Sequence, residues 1–188
     1  MNRVDLRVIK SRDALLDAGI TCLLQNPGVT LSEVAKKAGV GRATLYRHFK
    51  TRSDLIRAIA VSSFEETEAA CAHITKRRMV GKAALIEVFR SVIPLGERYH
   101  FLLSLWNYVE DDAQIGRIYS GQLAKLAKMI EDAKAHGSIR TEIPTEWVAM
   151  QFDSHLQLAW MMMSREDMAK TEEEVMALTI ETFFNGVS

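Results

Sequence analysis

The chain has 188 residues, 24 Lys+Arg against 24 Asp+Glu and 48% hydrophobic residues, the composition of a globular protein able to bury a core without disulfides or a structural metal. With 3 Pro, 10 Gly and few alternating Val/Ile/Thr runs, it is not collagen-like or low-complexity, and sandwiches and barrels are disfavoured, leaving an all-α fold. Cys22 and Cys71 lack C-x-x-C spacing, which argues against a disulfide framework and a cysteine zinc site and fits a reducing compartment. No stretch reaches the ~18 uninterrupted apolar residues of a membrane span, and charges of both signs stand where a signal peptide has its apolar core, so a cytoplasmic location is expected.

The zero net charge conceals a division. Residues 1 to 60 hold eleven Lys/Arg and five Asp/Glu, a net +6, and the remaining residues carry −6. A basic segment on an acidic body points to a polyanionic partner for the first part of the chain.

Apolar residues Val8, Leu15, Leu16, Ala18, Ile20, Leu23 and Leu24 recur at helical spacing and stop at Asn26-Pro27-Gly28, which defines a first helix. Thr30-Leu-Ser-Glu33 is a capping box that starts a second helix near Leu31, and Gly39 closes it. Gly41 to Phe49 reads as a third helix with Leu45 and Phe49 facing inward. Lys50 to Ser53 is a joint, and a long connecting helix runs from Asp54 to about Ile74. Further helices are expected at about 82–93 (ended by Pro94), 97–109, 112–135 (ended by His136-Gly137) and 145–164 after Pro144. A second capping box, Thr171-Glu-Glu-Glu174, opens a last helix ending near Gly186.

Residues 30 to 49 therefore fit a helix-turn-helix. Two helices crossing steeply need a small residue at the contact, here Ala35, and a glycine in the turn, here Gly39; the second helix is then presented to a major groove by its N-terminal residues. Its outward side chains are Arg42, Ala43, Thr44, Tyr46, Arg47 and His48. Arginine forms bidentate bonds to guanine, Ala or a Thr methyl touches thymine, and hydroxyls and imidazole hold phosphate oxygens. A plain helical hairpin would not require the basic excess.

The run from Thr30 to Ile59, T-L-S-E-V-A-K-K-A-G-V-G-R-A-T-L-Y-R-H-F-K-T-R-S-D-L-I-R-A-I, resembles the DNA-binding segment of the TetR (tetracycline-repressor-like) family, above all at Thr-Leu-Tyr-Arg-His-Phe. The resemblance implies a three-helix head (residues 1–53) joined by a long helix to an all-helical ligand-binding and dimerisation body (54–188). It implies a homodimer, a double-stranded inverted-repeat operator, and a small hydrophobic effector that releases the repressor. Thr30 and Tyr46 are then phosphate holders, Arg42, Ala43 and Thr44 groove readers, and His48 and Lys50 backbone contacts. The family often has Ser where this chain has Gly41, so one hydroxyl cap is missing; Gly is a weaker but accepted N-cap.

The body offers no catalytic constellation, and no cofactor is expected. Glu97-x-x-His100 has the spacing of half a di-iron site, but no second Glu-x-x-His exists, so no metal is expected. Its aromatic and methionine content reads as core and, taken together, as an apolar effector pocket between helices, with Phe89, Trp106 and Met129 as candidate lining and Cys71, His73 and Asn107 as polar anchors. The last two helices are apolar on more than one face, which makes Leu156, Trp160, Met176, Ile180, Phe183 and Phe184 candidates for a dimer interface. The alternative function is a helical-bundle small-molecule-binding protein or enzyme without a DNA role; retention on heparin separates a DNA binder from a protein-contact scaffold.

Overall fold

The computed structural model describes residues 3–104, 111–165 and 170–186. Among the described residues nine α-helices follow one another: α1 (Arg3–Gln25), α2 (Leu31–Lys37), α3 (Arg42–His48), α4 (Arg52–Lys76), α5 (Gly81–Val92), α6 (Gly96–Ser104), α7 (Ala113–Ala135), α8 (Thr145–Met163) and α9 (Glu172–Asn185). The expected helices are present, except that residues 105–109 of the one expected at 97–109 lie outside the described residues, and the fold is all-α among the described residues. Pro94 follows the end of α5 at Val92, as expected. It sits in a single 3-10 turn, Ile93–Leu95, that leads directly from α5 into α6. A proline lacking its N–H is tolerated in a first turn, where that donor has no partner.

The chain forms two compact units, residues 1–63 with 101–115, and 64–100 with 116–188. In the first, Leu15, Leu16, Ile20 and Leu23 of α1, Val34 and Ala35 of α2, Leu45 of α3, Phe49 just beyond it, and Leu55, Ile56 and Ile59 of α4 are buried. Gly19 lets α1 lie against α4, because a Cβ there would stand 2.7 Å from the Ile59 Cδ1. In the second unit, Leu85, Phe89 and Val92 of α5, Ile130 and Ala133 of α7, Val148, Phe152, Leu156 and Ala159 of α8 and Val175 of α9 make one core. Phe89 stacks on Phe152 with centroids 3.9 Å apart, and Phe183 meets both rings edge-on at 5.3 and 5.4 Å.

Local signals place the ends. At α7, Gly137 (φ +71°) donates to the Lys134 carbonyl and Ser138 to the Ala133 carbonyl, a Schellman closure. At α9, Thr171 and Glu174 form the reciprocal cap that their spacing predicts. Among the described residues no helix is long and apolar enough to cross a membrane.

Candidate nucleic-acid interface

The helix-turn-helix is held by its own backbone bonds. Thr30 Oγ1 accepts the Glu33 N–H at 3.3 Å, while the Glu33 carboxylate accepts the Thr30 N–H at 2.8 Å and the Thr30 hydroxyl at 2.6 Å. These bonds hold the Glu33 carboxyl below its ordinary pKa, the side-chain bond from Thr30 contributing most. At the other end of α2, Val40 N–H donates to the Ala35 carbonyl at 2.9 Å and Gly39 N–H to the Lys36 carbonyl at 3.2 Å, with Gly39 at φ +65°. This Schellman motif requires the left-handed residue that glycine supplies at no steric cost, and it turns the chain into α3 within four residues. Gly41 is the N-cap of α3 and makes no side-chain cap bond, as the missing hydroxyl implies.

The exposed face of this motif is cationic. Between residues 30 and 50 stand Lys36, Lys37, Arg42, Arg47 and Lys50, against the single acid Glu33, whose carboxylate is engaged by Thr30. Arg42, Ala43, Tyr46, Arg47 and Lys50 are exposed and Thr44 is half-buried, while Leu45 and Phe49 face the core. Six of the seven residues expected to meet DNA thus lie on or immediately after α3; the seventh, Thr30, caps α2.

Two of the seven are otherwise engaged. The only donor of the Thr30 hydroxyl is directed at Glu33, so its local function is the cap. His48 is half-buried, with Nε2 2.9 Å from Ser11 Oγ of α1. Because Ser11 Oγ donates to the Val8 carbonyl at 2.9 Å, the fitting tautomer has His48 Nε2–H donating to Ser11. Burial, then the charges of Arg47 and Arg12, hold the His48 pKa below its ordinary value. In this neutral form Nδ1 is an acceptor, and it can donate to a phosphate only after protonation. His48 therefore fixes α3 on α1.

The joint after α3 is more ordered than its sequence suggested. Thr51 N–H donates to Asp54 Oδ2 at 2.8 Å and Asp54 N–H to Thr51 Oγ1 at 3.1 Å, so α4 starts at Arg52 under a reciprocal cap. The Arg52 guanidinium donates to the Pro27 carbonyl, tying the start of α4 to the turn before α2. The Thr-x-x-Asp spacing at 51–54 was the available signal; nothing in the sequence pointed to Ser11.

Residues 11–59 match the family model described as bacterial regulatory proteins, tetR family. The HTH-type transcriptional repressor LfrR of Mycolicibacterium smegmatis is 28% identical over 151 residues, 80% of this chain and 78% of LfrR. The chain belongs to the TetR family. It is a DNA-binding transcriptional regulator with a helix-turn-helix head and a helical body. The fold likeness extends along the chain. The crystal structure of LfrR from Mycobacterium smegmatis in complex with proflavine superposes with a TM-score of 0.74 at 22% identity, covering 95% of this chain and 97% of that one. AibR in complex with isovaleryl coenzyme A and operator DNA gives a TM-score of 0.78 at 17% identity, covering 93% and 98%.

The expected effector residues of this TetR-family regulator fall in different settings. Phe89 is wholly buried in the aromatic stack, and Met129 packs on the same core. The half-buried Cys71 thiol is pushed up to about 11, by burial first and then by the Glu68 charge, so it is neutral at physiological pH. His73 presents its two ring nitrogens to the Ala70 carbonyl at 2.9 Å and the Glu87 carboxylate at 3.2 Å. Trp106 and Asn107 lie outside the described residues. His100 stacks on Trp160 at 3.7 Å.

Of the residues expected to face a partner subunit, Leu156 is buried in its own unit's core, and Met176, Ile180, Phe183 and Phe184 pack against that core partly buried. Trp160 is also partly buried, with its indole where a Cβ on Gly96 would fall. The apolar side chains that α8 leaves exposed are Trp147, Met150, Leu158 and Met161, joined by Leu178 of α9.

Proposed function

We propose that this TetR-family regulator is a repressor that binds an inverted-repeat operator as a homodimer and is released by a small, largely apolar effector held in the second unit. The observation that carries the reading is α3 itself. It is a short helix closed onto its partner by a Schellman turn, with Arg42, Ala43, Tyr46 and Arg47 exposed and a surrounding surface of five bases and one engaged acid. In this reading residues 1–53 are the DNA-binding head and 54–188 the effector and dimerisation body. Arg42, Ala43 and Thr44 meet base edges, and Tyr46 and Lys50 meet phosphates. AibR, crystallised with both isovaleryl coenzyme A and operator DNA, and LfrR, crystallised with proflavine, support an effector-responsive DNA binder on this fold.

The dimer surface in this reading differs from the residues that hydropathy alone suggested. Trp147, Met150, Leu158 and Met161 are spaced 3, 8 and 3 apart, so they share one stripe of α8, and Met150 is 67% exposed. A stripe of large apolar residues on one helix face is a surface for another protein. Its self-complementary use by a second copy gives a two-fold dimer with two recognition helices about one DNA turn, or a multiple of it, apart.

Release follows from linkage: an effector that prefers the conformation unable to span both half-sites lowers operator affinity by that preference. Moving occupancy from 99:1 to 1:99 needs a preference of about 10⁴-fold. The test is selection of genomic fragments by the purified protein, followed by operator affinity with and without flat aromatic cations and acyl thioesters. Enrichment of an inverted repeat whose affinity falls with ligand is the expected result; no enrichment, or weak sequence-independent binding only, overturns the reading.

A further inference from the structure

Residues 6 to 10 of α1 are all exposed and contribute nothing to the core of the head. Leu6, Val8 and Ile9 are exposed at 41, 37 and 45%, and Arg7, Lys10 and Arg12 are exposed among them. Burial begins only at Leu15 and Leu16. Residues 6 to 10 are therefore uncovered, yet they are helical and cationic.

Its position along α1 gives it a direction. Arg7 lies one turn before Ser11 on the same helix face, and Lys10 borders that face. Ser11 is the residue that receives His48 from the end of α3. The electrostatics are continuous as well: the Arg12 charge acts on His48, depressing its pKa together with Arg47 and burial. One cationic surface thus passes from the exposed turns of α1 to the end of α3.

We propose that Arg7 and Lys10 bind phosphates of the duplex flanking the bases read by α3, so that the exposed turns of α1 extend the DNA footprint beyond the half-site. The partner is duplex DNA because the patch adjoins the recognition helix and repeats its sign of charge; the inference rests on the assignment of α3 to the major groove. Phosphate contacts of this kind add affinity and carry no base preference.

The experiment crosses flank length with substitution. Affinities of the full chain and of the Arg7→Gln/Lys10→Gln double variant are measured across a salt series, on an operator with long flanks and on one trimmed to the recognised bases. The wild type should weaken on trimming and the variant should not. On the long operator, each lost phosphate contact removes about 0.9 from the slope of log affinity against log salt, so the variant should lose about 1.8 for each bound protomer. Base preference in a binding-site selection should be unchanged, and circular dichroism should show the same helix content, since both side chains are exposed. An equal slope and equal flank dependence in the two proteins overturns the proposal while leaving the α3 reading intact. So does a variant that loses base preference, because Arg7 and Lys10 would then act through α3. A wild type without selective duplex binding overturns both.

Discussion

Asp112 accepts the Arg57 Nε–H at 2.6 Å and also the backbone N–H groups of Gln114 at 2.9 Å and Ile115 at 3.1 Å. One carboxylate thereby caps α7 and ties it to α4, and Arg57 adds a bond to the Gln114 side chain at 2.9 Å. The two contributions differ in size. Loss of an N-cap costs about 0.5–2 kcal/mol, whereas an exposed ion pair contributes about 0–1 kcal/mol. Asp112→Ala should therefore destabilise more than Arg57→Ala, and Asp112→Asn, which keeps the cap acceptor, should lie nearer the wild type. Denaturant unfolding of the three variants checks this order; Arg57→Ala as the most damaging change would show that the pair, not the cap, dominates.

His48 sets a pH dependence with a definite sign. Its pKa is held below the ordinary 6.5 by burial, Arg47 and Arg12, so the folded head binds fewer protons than the unfolded chain in the window between the two values. Its contribution is complete above pH about 6.5 and declines as the pH falls toward the lowered pKa. His48→Gln, which still offers a donor to Ser11, should remove this part of the acid sensitivity. Unfolding midpoints at neutral pH and at pH ~5 should differ more for the wild type than for the variant. Equal losses would sever the link between His48 and acid stability.

Much of this was legible in the sequence because it is local. Thr30, Gly39, Thr171 and Gly137 each act within five residues, and those signals placed the helix ends. Pro94 acts as locally, since α5 stops at Val92 and the proline falls in the 3-10 turn that follows. The Ser11–His48 bond joins residues 37 apart, and only the crossing of α1 and α3 brings them together. The faces of α8 were unreadable for a related reason. A helix apolar nearly all round does not reveal which stripe its own unit covers, so Leu156 was indistinguishable from Met150 and Leu158.

Within the proposed interface, base readers and phosphate holders should separate by experiment. Arg42→Ala and Thr44→Ala should relax base preference, each at about 1–3 kcal/mol where a base contact is lost. Tyr46→Phe and Lys50→Ala should weaken all duplexes alike, and Lys50→Ala, which removes a charge, should also flatten the salt response. Binding-site selection with each variant distinguishes the groups, and an unchanged preference for Arg42→Ala would remove it from the readers.

Phe89 calls for a different expectation from the one its composition suggested. It is wholly buried between Phe152 and Phe183, so truncation opens a cavity in the second unit. Phe89→Ala should cost about 3–5 kcal/mol, and Phe89→Leu distinctly less. Denaturant unfolding measures both. A well-folded Phe89→Ala with an altered ligand response would instead make it a wall of the effector pocket.

The dimer proposal turns on which apolar residues are charged. Met150 and Leu158 lie on the exposed stripe of α8, whereas Leu156, two residues before Leu158, is buried in the core of its own unit. Charge on an exposed stripe costs a lone protomer little, but across a two-fold interface it is repeated by the partner and buried without a counter-charge. Met150→Glu/Leu158→Glu should therefore yield a folded monomer with the helix content of the wild type. Leu156→Glu should unfold the second unit whatever the oligomeric state. Loss of the dimer removes the avidity of two linked half-site contacts, so the folded monomer should bind a single half-site nearly as well as a full inverted repeat, where the wild type strongly prefers the repeat. Sedimentation velocity at micromolar concentration and binding to the two duplexes report these outcomes together. A double variant that still sediments as a dimer would move the interface away from the α8 stripe, and a wild type that sediments as a monomer would end the two-fold reading of the operator.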